Sequence, residues 1–142
     1  MPTDISVSVG NLRRGASRAW LASPHGDDLP KHAVYDFALF THANFTTNAT
    51  YGGTIPNGTV LGQVTASKKF GPYDPGATDG RQTAVGFAFN DTKLPAAGQT
   101  PVVTDAYLSH CGVRVNALPY QSGPGSLDAN ARTALRDVVF YG

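Results

Sequence analysis

The chain is short of charge, of cysteine and of long apolar runs, and each shortage removes a class of function. Charged residues make up 15% of the 142 residues and the formal net charge is +1. Phosphate neutralisation needs a strong basic balance that is missing here, so a nucleic-acid partner is not expected. One cysteine, Cys111, cannot form an internal disulfide, which excludes a small scaffold held by bridges and leaves hydrophobic burial to hold the fold. Met1-Pro2-Thr3-Asp4 has neither the basic start nor the apolar run of a signal peptide, and no segment approaches 18 apolar residues. The expectation is therefore synthesis and residence in a cytoplasm, with no membrane partner. Helix-forming stretches rich in Leu, Glu and Lys are nearly absent as well.

What is present points to strands and loops. Apolar residues are 41% of the chain, punctuated by 16 Gly and 10 Pro. At this length about 68% of the unfolded chain's surface can be buried, enough for one self-sufficient core. Sequons at Asn44, Asn48, Asn57 and Asn90 are read, without a secretion signal, as Thr-rich turn and strand chemistry.

Ile5, Val7 and Val9 alternate with Ser6 and Ser8, which predicts a strand with one narrow apolar row, stopped by Gly10-Asn11. Residues 11–31, with Arg13-Arg14, Trp20-Leu21 and the polar turn Pro24 to Asp28, show no sustained period and read as an arm that needs something to lie against. The run Ala33 to Phe40 predicts a strand, and Asn44 to Gly58, closing on Pro56-Asn57-Gly58, an extended connector. Further strands are predicted over Thr59 to Ala66, Lys68 to Tyr73 and Thr83 to Asn90. In the last of these, Val85, Phe87 and Phe89 would share a face and Ala84, Gly86 and Ala88 the other, which permits close backbone approach.

Two more strands are predicted at Pro101 to Leu108 and Cys111 to Leu118, the second ended by Pro119. Ser126 would cap a short helix with Leu127, Ala131, Ala134, Leu135 and Val138 on one stripe, and Val138 to Tyr141 would form a closing strand. No repeat or linker divides the chain. The expected fold is α+β and mostly β: a single small domain with one short C-terminal helix, in which residues 1–50 form a long N-terminal arm and connector and residues 51–142 the core.

Residues that could carry chemistry lack the company it requires. In a strand, His110 and Cys111 would point to opposite faces, so the imidazole could not serve the thiol as base. No Gly-x-Ser-x-Gly elbow accompanies His25, Asp27 and Asp28. His25, His32, His42 and His110 are scattered without metal-ligand spacing. Gly123-Pro124-Gly125 lacks the Lys-Ser/Thr of a phosphate loop, and Asp74 and Asp79 do not match a calcium loop. The expectation is no enzyme, no metal and no cofactor.

Three segments in order carry a resemblance: Gly58 to Ala66, then Lys69-Phe70-Gly71-Pro72-Tyr73-Asp74-Pro75-Gly76-Ala77-Thr78-Asp79-Gly80, then Thr83-Ala84-Val85-Gly86-Phe87. With Leu118-Pro119, the short helix and the terminal apolar strand, they resemble the phage lambda head decoration protein family over Thr54 to Tyr141. The matching loop and turn residues are Tyr73, Asp74, Pro75, Thr78, Asp79 and Gly80. Met1 to Thr50 departs from that family's shorter arm.

The resemblance implies a protein made in a bacterial host cytoplasm that joins the outer surface of the expanded capsid. It implies homotrimers at three-fold and quasi-three-fold positions that bind the major capsid protein and stabilise the shell against genome pressure. It also implies an arm that adds a strand to a capsid sheet. Ile5, Val7 and Val9, with Trp20 and Leu21 as anchors, are the candidate capsid-binding residues, because a lone apolar row cannot bury itself and Trp is favoured at binding hot spots. The alternative is a surface carbohydrate-binding β-domain with Tyr51, Phe70 and Tyr73 as a stacking platform. A third reading, a small hydrolase built on Cys111 or a His/Asp pair, predicts sensitivity to thiol alkylation.

Overall fold

The computed structural model of the chain describes residues 18–23, 30–46, 53–95 and 102–142. Five strands form the main sheet: β1 (Lys31–Val34), β3 (Val60–Gln63), β4 (Phe70–Pro72), β5 (Ala84–Ala88) and β7 (Thr104–Leu108), in the order β1-β7-β5-β3-β4 with antiparallel neighbours. The two outer strands meet. Tyr35, just past β1, bridges Phe70 of β4, and the Asp36 N–H donates to the Phe70 carbonyl at 2.9 Å. The sheet thereby curls into a small barrel, an arrangement that removes open edges. Two smaller pairs complete the strands: β2 (Thr54–Ile55) with β6 (Thr92–Lys93), and β8 (Cys111–Arg114) with β9 (Val138–Tyr141), the latter parallel. The fold is mostly β, as the turn-rich sequence implies.

Each face of the curled sheet carries an apolar cluster. Ala33, Tyr35, Leu61, Phe70 and Ala88 belong to one, extended by Phe40, Phe45, Ile55 and Tyr120. Its rings stand edge to face in a row, Tyr35–Phe40 at 5.7 Å, Phe40–Phe45 at 5.1 Å and Phe45–Tyr120 at 5.3 Å between centroids. Val60, Tyr73, Ala84, Phe87 and Leu108 belong to the other, covered by β8, β9 and the helix α2 (Ala129–Ala134) through Cys111, Val113, Ala131, Leu135 and Val138.

The expected strand over Ala33 to Phe40 stops at Val34. Asp36 accepts a hydrogen bond from the Ala38 N–H at 3.2 Å and caps a 3-10 turn, Phe37–Leu39, which swings Phe40 into the core. The connector is not wholly extended: it carries one helical turn, α1 (Ala43–Thr46), and β2. Residues 31–46, placed on the sequence within the segment 1–50, thus supply β1, the 3-10 turn and α1 to the body. The strand from Cys111 ends at Arg114, four residues before Leu118, because the backbone tightens into the 3-10 turn Val115–Ala117. The helix cap is Asp128 rather than Ser126. The Asp128 carboxylate accepts from the Ala131 N–H at 2.8 Å, while the Ser126 hydroxyl donates to the Gly123 carbonyl at 2.6 Å.

Strand β5 corrects the expected sharing of faces. Leu61 pairs with Gly86 but Gly62 pairs with Ala84, so Val85 is an extra residue in a bulge. The bulge turns Val85 towards the Ala88 side, away from Phe87. Close approach at Gly86 is present as expected: a Cβ there would lie 2.5 Å from the Leu108 carbonyl oxygen and 2.7 Å from the Tyr107 ring. Gly86→Ala is therefore expected to destabilise the protein by about 1–3 kcal/mol, read as a lower urea midpoint with an unchanged m-value.

Candidate functional site

The family-motif loop is built as internal cross-bracing. Tyr73 is buried at the end of β4, where its N–H donates to the Val60 carbonyl at 2.8 Å and its carbonyl accepts from the Gly125 N–H at 2.9 Å. Its hydroxyl donates to the Asp128 carboxylate at 2.8 Å, so the same oxygen that caps α2 ties the helix to the barrel. Burial, then the hydrogen bond to Asp128, push the phenol up to about 12.

Asp74 closes the next turn by accepting from the Gly76 N–H at 2.9 Å, leaving Pro75 and Thr78 exposed at the rim. Asp79 receives the Arg81 guanidinium at 3.0 Å and the Arg81 backbone N–H at 3.2 Å. Desolvation pushes its carboxyl up, but these Arg81 contacts outweigh it and hold the group below its ordinary value. Gly80 has a φ of 116°, and a Cβ there would meet the Gln63 carbonyl and the Thr65 hydroxyl at 2.5 Å. These features make Tyr73, Asp74, Asp79 and Gly80 structural in their immediate contacts.

Trp20 lies in the core, not on the surface. Its residual exposure is 2%, its ring stacks on Phe87 at 5.5 Å, and its indole N–H donates to the Asn57 side-chain oxygen at 2.6 Å. Asn57 is held in turn by Asp91, whose carboxylate accepts from its backbone and side-chain N–H groups at 2.7 and 2.8 Å. An indole enclosed in this way is unavailable as a surface anchor. Leu21 is half-buried and bridges Val113 antiparallel, making residues 20–22 a short third member beside β8.

Arginines fasten the segment from both sides. Arg114 donates to the carbonyls of Ala19 and Leu21 at 3.2 and 3.0 Å. Arg18 donates to the Phe89 carbonyl at 2.5 Å and the Asn90 side chain at 2.6 Å, with its guanidinium 3.8 Å above the Phe89 ring. Ile5, Val7 and Val9 lie outside the described residues, as do His25, Asp27, Asp28 and Tyr51.

Cys111 is 1% exposed and burial pushes its thiol up to about 11, which keeps it protonated at neutral pH. His110 is exposed in the bend that precedes β8, beside a cysteine whose side chain faces the core. Among the described residues no group of three or more His, Cys, Asp or Glu could hold a metal ion, and no helix is long and apolar enough to cross a membrane. The sugar-stacking platform does not form: Phe70 and Tyr73 are both buried, in different clusters on opposite faces of the sheet.

Among the described residues, the exposed large apolar side chains are Val102, just before β7, and two on the small sheet. Val139 and Tyr141 on β9 are 55% and 53% exposed, and a shallow pocket of about 370 Å³ opens beside them, lined by Arg114, Asn116, Ala117, Tyr141 and Gly142. Sequence periodicity gives no hint of this pocket, because it is assembled from a 3-10 turn and the last two residues. Nor does it signal the pairing of Trp20 with Asn57.

The comparison with family models is specific: residues 33–138 match the family described as Bacteriophage lambda head decoration protein D. The match spans more than half of the chain, and the chain belongs to that family. The comparison with curated proteins finds no match.

Two outcomes follow from these contacts. Trp20→Ala is expected to cost about 3–5 kcal/mol in urea denaturation, because it empties an indole-sized volume and leaves Asn57 without its donor. Because Tyr73 titrates at an ordinary 10.0 when unfolded and about 12 when folded, stability is expected to fall as pH rises from 10 towards 12. Tyr73→Phe should flatten that decline in denaturation curves taken across the range, in part, since burial also pushes up Tyr35, Tyr107 and Cys111 in the fold.

Proposed function

We propose that this protein is a capsid decoration, or cementing, protein that binds the exterior of an expanded phage head as homotrimers at three-fold and quasi-three-fold positions and stabilises the shell against genome pressure. The observation that carries the reading is the family membership, whose matched span takes in the second half of β1, β2 to β8, α1 and α2. Its partners are the major capsid protein and further copies of itself, with neither nucleic acid nor membrane involved. Its action makes and breaks no bond, and the contacts of Cys111 described above favour that reading over a thiol enzyme.

In this role the row Ile5, Val7 and Val9 is the docking strand, and residues 18–23 fasten it to the body. Trp20 then acts from inside, as the core side chain that holds the root of the arm, and Leu21 as its neighbour on β8. Multiplicity does the rest: a modest contact repeated across a symmetric lattice gives tight overall clamping. Such a protein resides on the outer surface of the virion after synthesis in the bacterial host.

The test is stoichiometry. Quantitative gels of purified virions are expected to show this chain near one copy per major capsid protein, and a few copies or none would overturn the cementing role. Removing Met1 to Gly10 is expected to lower occupancy on expanded heads at least tenfold at limiting protein, and undiminished occupancy would remove the arm from the docking contact.

A further inference from the structure

The small sheet gathers at one end several features with no use inside the body. Leu21 runs antiparallel to β8, with the Ala22 N–H donating to the Gly112 carbonyl at 2.9 Å and the Arg114 N–H to the Trp20 carbonyl at 2.7 Å. Followed towards the N-terminus, the chain therefore travels towards the Arg114 end of β8. A turn closed by the Leu21 N–H on the Arg18 carbonyl at 3.0 Å then keeps Arg18 within about 7 Å of Leu21. Strand β9 is parallel to β8 and pairs Tyr141 with Arg114, so its own end lies at the same pole. The arm's point of departure, the pocket and the exposed end of β9 thus share one side of the molecule.

Strand β9 is also the open edge of that sheet. Residues 20–22 flank β8 on one side and β9 on the other, while the far edge of β9 carries no strand among the described residues. Val138 is buried and Phe140 packs on the core, whereas Val139 and Tyr141 form an exposed row two residues apart. Natural sheets guard such edges with charge, proline or cover, and this one has an apolar row instead. The main barrel offers no comparable acceptor beside β4, where the Tyr35–Phe70 bridge closes it.

Resting on the cementing role above, we propose that β9 is the body's own contact with the shell: it accepts an extended, uncharged apolar segment of the major capsid protein along its open edge. Backbone pairing supplies the register, Val139 and Tyr141 supply apolar cross-strand partners, and one apolar side chain of that segment fills the pocket at Ala117 and Tyr141. The pocket's one charged lining residue, Arg114, is already directed at the carbonyls of Ala19, Leu21 and Ala22, which favours an uncharged occupant. This second contact is distinct from the arm.

The full-length protein carrying Val139→p-benzoyl-phenylalanine, loaded on expanded heads and irradiated, tests the assignment. The expected result is a cross-link to the major capsid protein. Cross-links to a second copy of this chain alone, or none at wild-type occupancy, would overturn it. Ala117→Arg fills the pocket at an exposed position where folding is not at stake, and is expected to lower occupancy at least tenfold with an unchanged urea midpoint. Val102→Glu, at a residue 76% exposed on the barrel, is expected to load normally. Normal loading of Ala117→Arg alongside lost loading of the Met1 to Gly10 deletion rejects the β9 contact and leaves the cementing role standing. Failure of the unaltered protein to bind heads rejects both.

Discussion

Curling of the five-stranded sheet is the constraint from which the remaining structure follows. Once Tyr35 reaches Phe70 and the first strand meets the last, there is an inside to fill and an outside to cover. The inside takes the edge-to-face row of Tyr35, Phe40, Phe45 and Tyr120, and that row dictates where the 3-10 turn and the first helical turn must stand. The outside takes α2 and the parallel pair β8 and β9, brought over the sheet and fixed by Tyr73 reaching Asp128. Gly86 and the bulge at Val85 allow the bend, one by letting β7 come close and the other by letting a single strand feed both clusters.

The family-matched span begins at residue 33, yet the outer core is incomplete without a residue that precedes it. Trp20 fills the space over Phe87, and its hydrogen bond to Asn57, itself held by Asp91, locks the turn in which Gly58, at a φ of 90°, passes close to the indole. A Cβ on Gly58 would lie 2.9 Å from the Trp20 ring, so the turn and the N-terminal segment are fitted to each other. What precedes the family body is therefore joined to it as core. Such a join ties residues 18–23 to the centre of the molecule instead of to a surface loop.

Strands with strict alternation or terminal apolar runs were readable from the residues alone: β3, β5, β7 and β9 fall inside their expected spans. Asp-Gly, Pro-Gly and Asn-Gly turns were readable too, since positive φ at Gly58 and Gly80 needs residues without a Cβ. The misreadings share a cause. Ala33 to Phe40 has a strand composition, but one aspartate after Tyr35 offers its carboxylate to the backbone and breaks the strand. Trp20 has the composition of a hot spot, but an indole is equally a core filler, and the choice rests on Asn57 and Phe87, 37 and 67 positions away in sequence. The exposed β9 row was half visible: the apolar run announced a strand, whereas which of its faces lacks a cover depends on the placement of α2 and β8.

Cys111 has one more consequence, for the chemistry of storage and handling instead of for assembly. On the proposed route the protein starts in a reducing cell interior and ends on a particle exposed to air. A surface thiol on a shell-wide component would become a cross-linking site repeated over the whole lattice, freezing subunits in whatever spacing they held when oxidised. Here the single thiol is enclosed by the outer cluster and stays protonated. On that proposed route, neighbouring copies present no exposed thiol to one another, and their spacing does not depend on oxidation of Cys111.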